Sequence, residues 1–230
     1  MGRILQIFKI PDLRKKVFYV LLGLVSFRAL GAIPVPGIDA ARLSEFLNSN
    51  QIFSFFNLFS GGGLSNLSIV MLGVGPYITA TIIMQLLTMI FPTLKVMYYE
   101  EGAIGRAKFN RISRYLTVPL AALQAYGFLN LLISQQIFTS LSGLGMLQNV
   151  IIVTTGSLLL TWIGELIGEQ KIGNGISLLI FAGIVQGLPS VIRNTVICFD
   201  PANLPTYIAF VILSVLIIAG VVFVNQGERK

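Results

Sequence analysis

The sequence contains no histidine and a single cysteine, Cys198, in 230 residues. Without imidazole there is no His-based catalytic triad, no histidine zinc ligand and no axial haem histidine. One cysteine closes no disulfide within the chain and builds no multi-cysteine metal site. Charge is also scarce, at 11% of residues against about 25% in a soluble domain. Acidic residues are the scarcer kind, 9 Asp and Glu against 16 Lys and Arg, for a net charge of +7. What is abundant is apolar: 55% of residues are hydrophobic and the mean hydropathy is +0.84. A soluble globular domain and a disordered chain are both excluded by these numbers. The apolar runs are long and continuous, not alternating, so a β-barrel is excluded too. No small-residue cleavage site follows the first apolar run, so it does not read as a cleaved signal peptide. No enzymatic activity, cofactor or metal is expected.

A helix needs about 20 mostly apolar residues to cross the hydrocarbon layer. Six stretches qualify: residues 17–33, 69–91, 116–133, 147–166, 176–197 and 206–224. The first ends at Pro34, the second at Pro92, and the fifth contains Pro189. The expected fold is therefore an all-α, polytopic membrane bundle. Its basic residues are distributed unevenly. Arg3, Lys9, Arg14, Lys15 and Lys16 precede the first span, and Lys95, Arg106, Lys108, Arg111 and Arg114 follow the second. Lys171, Arg229 and Lys230 fall on the same side, thirteen in all, while Arg42 and Arg193 alone fall on the other. The positive-inside rule then predicts an even number of spans with both ends cytoplasmic. Most of the net positive charge is accounted for by topology, leaving little for nucleic acid.

Two segments do not read as ordinary spans. Residues 34–68 lie on the outward side, and within them Phe53, Phe55, Phe56, Leu58 and Phe59 crowd before Ser60, Gly61, Gly62 and Gly63. The apolar part is too short to cross; it fits an interfacial helix or a re-entrant piece sheltered by protein, and periodicity does not decide between them. The second segment, Lys171-Ile172-Gly173-Asn174-Gly175-Ile176-Ser177, reads as a tight cytoplasmic turn before a helix start. Glu165, Glu169 and Lys171 read there as a solvated helix end.

Several stretches resemble the SecY family, the central subunits of protein-translocation channels. They are Phe27-Arg28-Ala29-Leu30-Gly31 running into Pro34-Val35-Pro36-Gly37, then Asn57-Leu58-Phe59-Ser60-Gly61-Gly62-Gly63-Leu64, then Leu72-Gly73-Val74-Gly75-Pro76-Tyr77-Ile78 with Gln85-Leu86-Leu87. Arg114-Tyr115-Leu116-Thr117, Trp162-Ile163-Gly164-Glu165, Ile172 to Ser177 and Ile180 to Val185 follow in the family's order. The resemblance implies a fold of ten spans in two inverted halves of five, of which this chain resembles the N-terminal half plus one helix. Residues 1–16 then form a cytoplasmic N-terminal segment, 17–197 a five-helix half-channel with a short re-entrant plug helix at about 53–64, 206–224 the sixth span, and 225–230 the start of a cytoplasmic loop.

The resemblance also assigns roles. Val74 and Ile78 in span two, and Ile176 and Ile180 in span five, match the family's pore ring. Each pair is spaced i,i+4 and shares a helix face, although the same spacing fits ordinary core- or lipid-facing aliphatics. Phe53, Phe56, Asn57, Leu58, Phe59, Ser60, Gly61, Gly62, Gly63 and Leu64 match the plug. Gln85 and Gln124, amides at apparent membrane depth, fall on the two spans that line the lateral gate; their plainer reading is an interhelical hydrogen bond. Arg28, the sole ionisable residue well inside a span, reads as structural and able to snorkel. Lys95, Arg106, Lys108, Arg111 and Arg114 are candidates for contact with a cytoplasmic partner, although Met97, Tyr98 and Tyr99 stand where the family often has basic residues. The implied partners are SecE and SecG subunits, the SecA motor or a translating ribosome, signal sequences and nascent polypeptides, and membrane lipids. The implied location is the bacterial plasma membrane. The chief rival is a fragment of a secondary transporter for a small solute, which predicts polar groups converging at the midplane. Apart from Gln85, Gln124 and the Thr154–Thr155 pair, that polarity is thin. A membrane enzyme lacks the side chains to work with.

Overall fold

The computed structural model describes residues 11–36, 63–64, 67–135, 143–197 and 204–226. Among them are seven helices: α1 (Pro11–Gly31), α2 (Gly75–Ile90), α3 (Pro92–Tyr99), α4 (Gly102–Ser134), α5 (Gly143–Glu169), α6 (Gly175–Ile197) and α7 (Leu204–Gln226). The all-helical expectation holds over these residues. Two of the helices, α4 and α5, are each long and apolar enough to cross a membrane, and α2 with α3 qualifies as a pair bent by 114°. α6 and α7 contain shorter apolar stretches, Gly175–Pro189 and Ile208–Val224. Asp12, Arg14, Lys15 and Lys16 occupy the start of α1, so its apolar part begins only at Val17.

Two predicted boundaries move. Span two, expected from residue 69, becomes helical only at Gly75. Pro76 sits in the first turn of α2, where its missing N–H costs nothing. Ahead of it, Gly73 adopts φ +58°, a left-handed turn that glycine tolerates. The basic stretch after span two, expected as a loop, is helical. Pro92 forces Phe91 into an extended conformation (φ −104°, ψ 111°), which breaks α2 from α3. After a turn at Glu100–Glu101, α4 runs for 33 residues. Its buried residues Gly105, Phe109, Ser113, Thr117, Ala121, Ala125 and Leu129 recur every four positions, giving one continuous packed face.

Lipid tails are as apolar as leucine, so helices in a bilayer associate mainly through close packing at small residues. This is how the first unit of the chain, residues 1–187, is assembled. α4 packs against α2, α3 and α5, and α1 packs against α5. At Gly105 an added Cβ would collide with the Met97 carbonyl, at Gly156 with that of Ile69, and at Gly175 with that of Gly164. Two apolar clusters result. One joins Val35, Leu64, Leu67 and Met71 to Ala125, Leu129 and Leu132 of α4 and Val153 of α5. The other joins Val20 and Phe27 of α1, Val70, Val74, Leu160 and Ile167 of α5, and Leu179 of α6.

The residues that follow α1 are clipped to those that precede α2. Val35 N–H donates to the Leu67 carbonyl at 2.9 Å, and Ile69 N–H to the Ile33 carbonyl at 3.0 Å. Pro34 faces Ser68 between these bonds in an antiparallel bridge, a position that needs no donor from proline. The second unit, residues 188–230, contains α7, whose apolar side chains from Phe210 to Val224 are exposed over its whole circumference, as expected of a lipid-facing helix.

Candidate functional site

α2 begins one residue after Val74, which occupies its N-cap position and is 6% exposed. One turn on, Ile78 is 36% exposed, so their shared face leaves the core within a single turn. Ile176 and Ile180 of α6 are half-buried and pack on the cluster that contains Val74. Three of the four predicted ring residues therefore belong to or pack against one cluster, whereas Ile78 is exposed and outside it. The start of α6 is fixed by Asn174, whose Oδ1 accepts from Ile176 N–H at 3.1 Å and Ser177 N–H at 3.3 Å. Asn is among the preferred N-cap residues for this reason. The reading of this motif as a tight turn before a helix start is realised, with the asparagine as its cap.

Of the predicted plug residues, Phe53, Phe56, Asn57, Leu58, Phe59, Ser60, Gly61 and Gly62 lie outside the described residues. Gly63 and Leu64 are buried. The Gly63 carbonyl accepts from Ser68 N–H at 2.8 Å, and that of Leu64 from Leu67 N–H at 3.0 Å. Leu64 is 3% exposed within the first cluster. The end of the candidate plug is thus anchored in the core.

Gln85 is exposed and Gln124 half-buried, and no hydrogen bond joins them among the described residues. Instead the bend between α2 and α3 opens a cleft of about 650 Å³ lined by Gln85, Thr88, Met89, Lys95, Tyr98 and Tyr99. The Tyr98 ring is held by Phe109 at 4.7 Å and by Tyr99 at 4.9 Å between centroids. One gate candidate and one basic candidate thus face the same opening. Residue-by-residue reading of the sequence misses this, because it depends on the bend.

The other basic candidates divide. Arg106 and Arg111 are exposed and make no ion pair among the described residues. Lys108 pairs with Glu101 at 3.5 Å on the surface, a contact of small energetic value. Arg114 makes a two-point bond with Glu165: Nε to Oε1 at 3.2 Å and Nη2 to Oε2 at 2.5 Å. Glu165, which the sequence reads as part of a solvated helix end, instead has its side chain 20% exposed and ties α5 to α4. No sequence signal announces a partner 51 positions away. Replacing Arg114 by Gln should lower stability by roughly 1 kcal/mol, above a typical exposed pair because the bond is bidentate and partly covered. The exchange Arg114→Glu with Glu165→Arg should recover part of this in the unfolding midpoint. Equal losses for single and double variants would show that the pair is not the cause. Arg28, in the last turn of α1, is exposed and favourably placed against the helix dipole.

The SecY family profile matches residues 68–230. The chain belongs to the SecY family. Protein translocase subunit SecY of Corynebacterium glutamicum is 42% identical over 251 residues, covering 100% of this chain and 54% of that protein. The subunits of the same description from Vibrio cholerae and Escherichia coli K12 are 39% and 40% identical, over 96% and 95% of this chain and 51% of each relative. The chain spans about half the length of the curated SecY proteins it matches. Among solved structures, Sec61 in the canine ribosome–channel complex from the endoplasmic reticulum superposes with a TM-score of 0.63 at 24% identity, over 100% of this chain and 54% of that one. A protein-conducting channel superposes with a TM-score of 0.61 at 24% identity, over 97% of this chain and 52% of that one. The helical fold of this chain thus resembles about half of each of these two structures.

Proposed function

We propose that this chain is part of a membrane channel that conducts secretory polypeptides and releases membrane segments sideways into the bilayer. The observation that carries the reading is the gathering of Val74, Ile176 and Ile180 in one apolar cluster, with Val74 one turn before the exposed Ile78 of the same helix, in a chain of the SecY family. A narrow aliphatic constriction blocks ions by dewetting yet offers a passing chain no strong binding site. β-branched side chains suit it because they are stiff at χ1. The ring is incomplete here; its remaining members belong to the part of a SecY protein that lies beyond these spans.

The same reading places six spans in the bilayer, with residues 53–64 as a plug beneath the ring and both ends of the chain in the cytoplasm of a bacterial cell. Gln85 and Gln124 sit on the gate side. Arg106 and Arg111, exposed and without ion-pair partners among the described residues, are the best placed of the basic candidates to meet a SecA motor or a ribosome. SecE and SecG are the companion subunits. Curated relatives described as translocase subunits support this, as does a structural neighbour described in a ribosome–channel complex.

A crosslinking experiment tests the ring. With Cys198 replaced by Ser, a single cysteine is placed at Ile78 or Ile180 in the full-length protein, and a precursor carrying one cysteine is stalled in transit. A disulfide to the stalled chain at both positions is expected. Absence of adducts at both, with efficient adducts from lipid-facing positions of α7 such as Phe210, contradicts the ring assignment.

A further inference from the structure

The stretch between the candidate plug and the candidate ring is held by α5 at one point of close approach. Residues 67–74 form a chain of turns, with Met71 N–H donating to the Ser68 carbonyl at 2.9 Å and Gly73 N–H to that of Val70 at 2.8 Å. The turns end at Gly73, in the left-handed region, directly before Val74. Gly156 of α5 lies so close beneath that an added Cβ would collide with the Ile69 carbonyl. The adjacent Ser157 donates its hydroxyl to the Gly73 carbonyl at 2.8 Å, fully buried. This is not what a helical hydroxyl does by default. Thr79, Ser113, Thr117, Thr155 and Thr161 each turn back to a carbonyl four residues earlier in their own helix. Ser157 reaches to a different element, 84 positions away in sequence.

We propose that Gly156 and Ser157 act as a positioning pair for the joint between plug and ring, so that span four, which contributes no ring residue, sets where the ring residue Val74 stands. The inference rests on the channel reading above. The glycine admits the backbone of the joint, and the hydroxyl fixes the one carbonyl whose movement would carry Val74 with it. Apolar contact alone would let the turns slide along α5, whereas a directional bond satisfies a buried carbonyl in a single register. Breaking it releases the joint to other positions and weakens closure.

The test uses the full-length protein with its companion subunits in planar bilayers and in cells. Ser157→Ala removes the hydroxyl, Ser157→Cys keeps a weak donor of similar shape, and Thr161→Val removes an equally buried hydroxyl that bonds only within α5. Idle ion conductance and export of a precursor with a crippled signal sequence are measured at matched protein abundance. Ser157→Ala is expected to raise both, by about the fivefold that one neutral hydrogen bond is worth in a two-state balance. Ser157→Cys should fall between, and Thr161→Val should match the parent. If Ser157→Ala does not accumulate, an increase in Ser157→Cys supports the positioning role in its place. Parental conductance and stringency in both Ser157 variants, or an equal increase in Thr161→Val, overturns the positioning role. A parent complex that moves no polypeptide overturns the channel reading instead.

Discussion

Gly175→Ala is expected to be the most damaging glycine-to-alanine change among the described residues. Its new Cβ would collide with the Gly164 carbonyl and press on the Gly168 amide nitrogen. Both obstacles are backbone atoms of α5, and neither can rotate away. The hairpin between α5 and α6 has no slack to absorb the shift. Lys171 is already in the left-handed region at φ +57°, with its N–H bonded to the Gly168 carbonyl at 3.0 Å. Asn174 caps the next helix from the adjacent position. Overpacking of this kind costs ~1–3 kcal/mol, and more where backbone rather than a side chain is in the way. That is a large fraction of an ordinary protein's stability. The expected outcome is a several-fold drop in membrane-inserted protein and a lowered unfolding midpoint in detergent. Gly127→Ala is the matched control: an added Cβ there meets nothing within 4 Å, so helix propensity should give a gain of up to ~1 kcal/mol. Parental abundance and midpoint for Gly175→Ala would show that the close approach is not made in the membrane.

Deleting residues 57–62 in the full-length protein is expected to give the largest functional effect. The endpoints follow from the anchoring of the neighbouring residues. Gly63 and Leu64 belong to the packed core, through the Ser68 N–H bond and the contacts of Leu64 with α4 and α5. A deletion that took Leu64 would open a cavity costing ~2–5 kcal/mol and confuse instability with leakage. The shorter deletion spares that anchor and the clip between Ile33–Val35 and Leu67–Ile69. If the excised residues form the plug, the ring alone must seal the idle channel, and its ion conductance should rise severalfold while abundance stays near that of the parent. Unchanged idle conductance would remove the plug assignment and leave an ordinary surface excursion.

Much of this is legible in the sequence for a simple reason. Long apolar runs bounded by Pro34 and Pro92 leave few alternatives to membrane helices, and Asn174 between two glycines announces a cap. Two helices nevertheless depart from their apolar runs. α4 reaches back to Gly102 because Gly105 and Phe109 pack against Met97 and Tyr98 of α3, a packing effect that hydropathy does not register. α2 starts late because Gly73 and Pro76 favour a turn over helix in an apolar stretch that otherwise reads as continuous. The candidate site is legible only as far as neighbouring positions go. Ile176 and Ile180 share a helix face by spacing, but their meeting with Val74 depends on how α5 and α6 pack. The Arg114–Glu165 bond and the Ser157–Gly73 bond join positions 51 and 84 apart, and single residues carry no record of such partners. The cleft at Gln85 and Lys95 exists because Pro92 turns the chain by 114°, an angle that no composition encodes.

The function proposed for this chain is that of part of a conduit for polypeptides. Its most direct test reconstitutes the full-length protein with its companion subunits in lipid vesicles and supplies an energised motor and an unfolded, signal-bearing precursor. The expected result is protease-protected precursor inside the vesicles, lost when the signal sequence is disabled and when a stalled precursor already fills the channel. Absence of protected polypeptide, together with saturable uptake of a small solute by the same vesicles, would contradict it and favour a solute transporter.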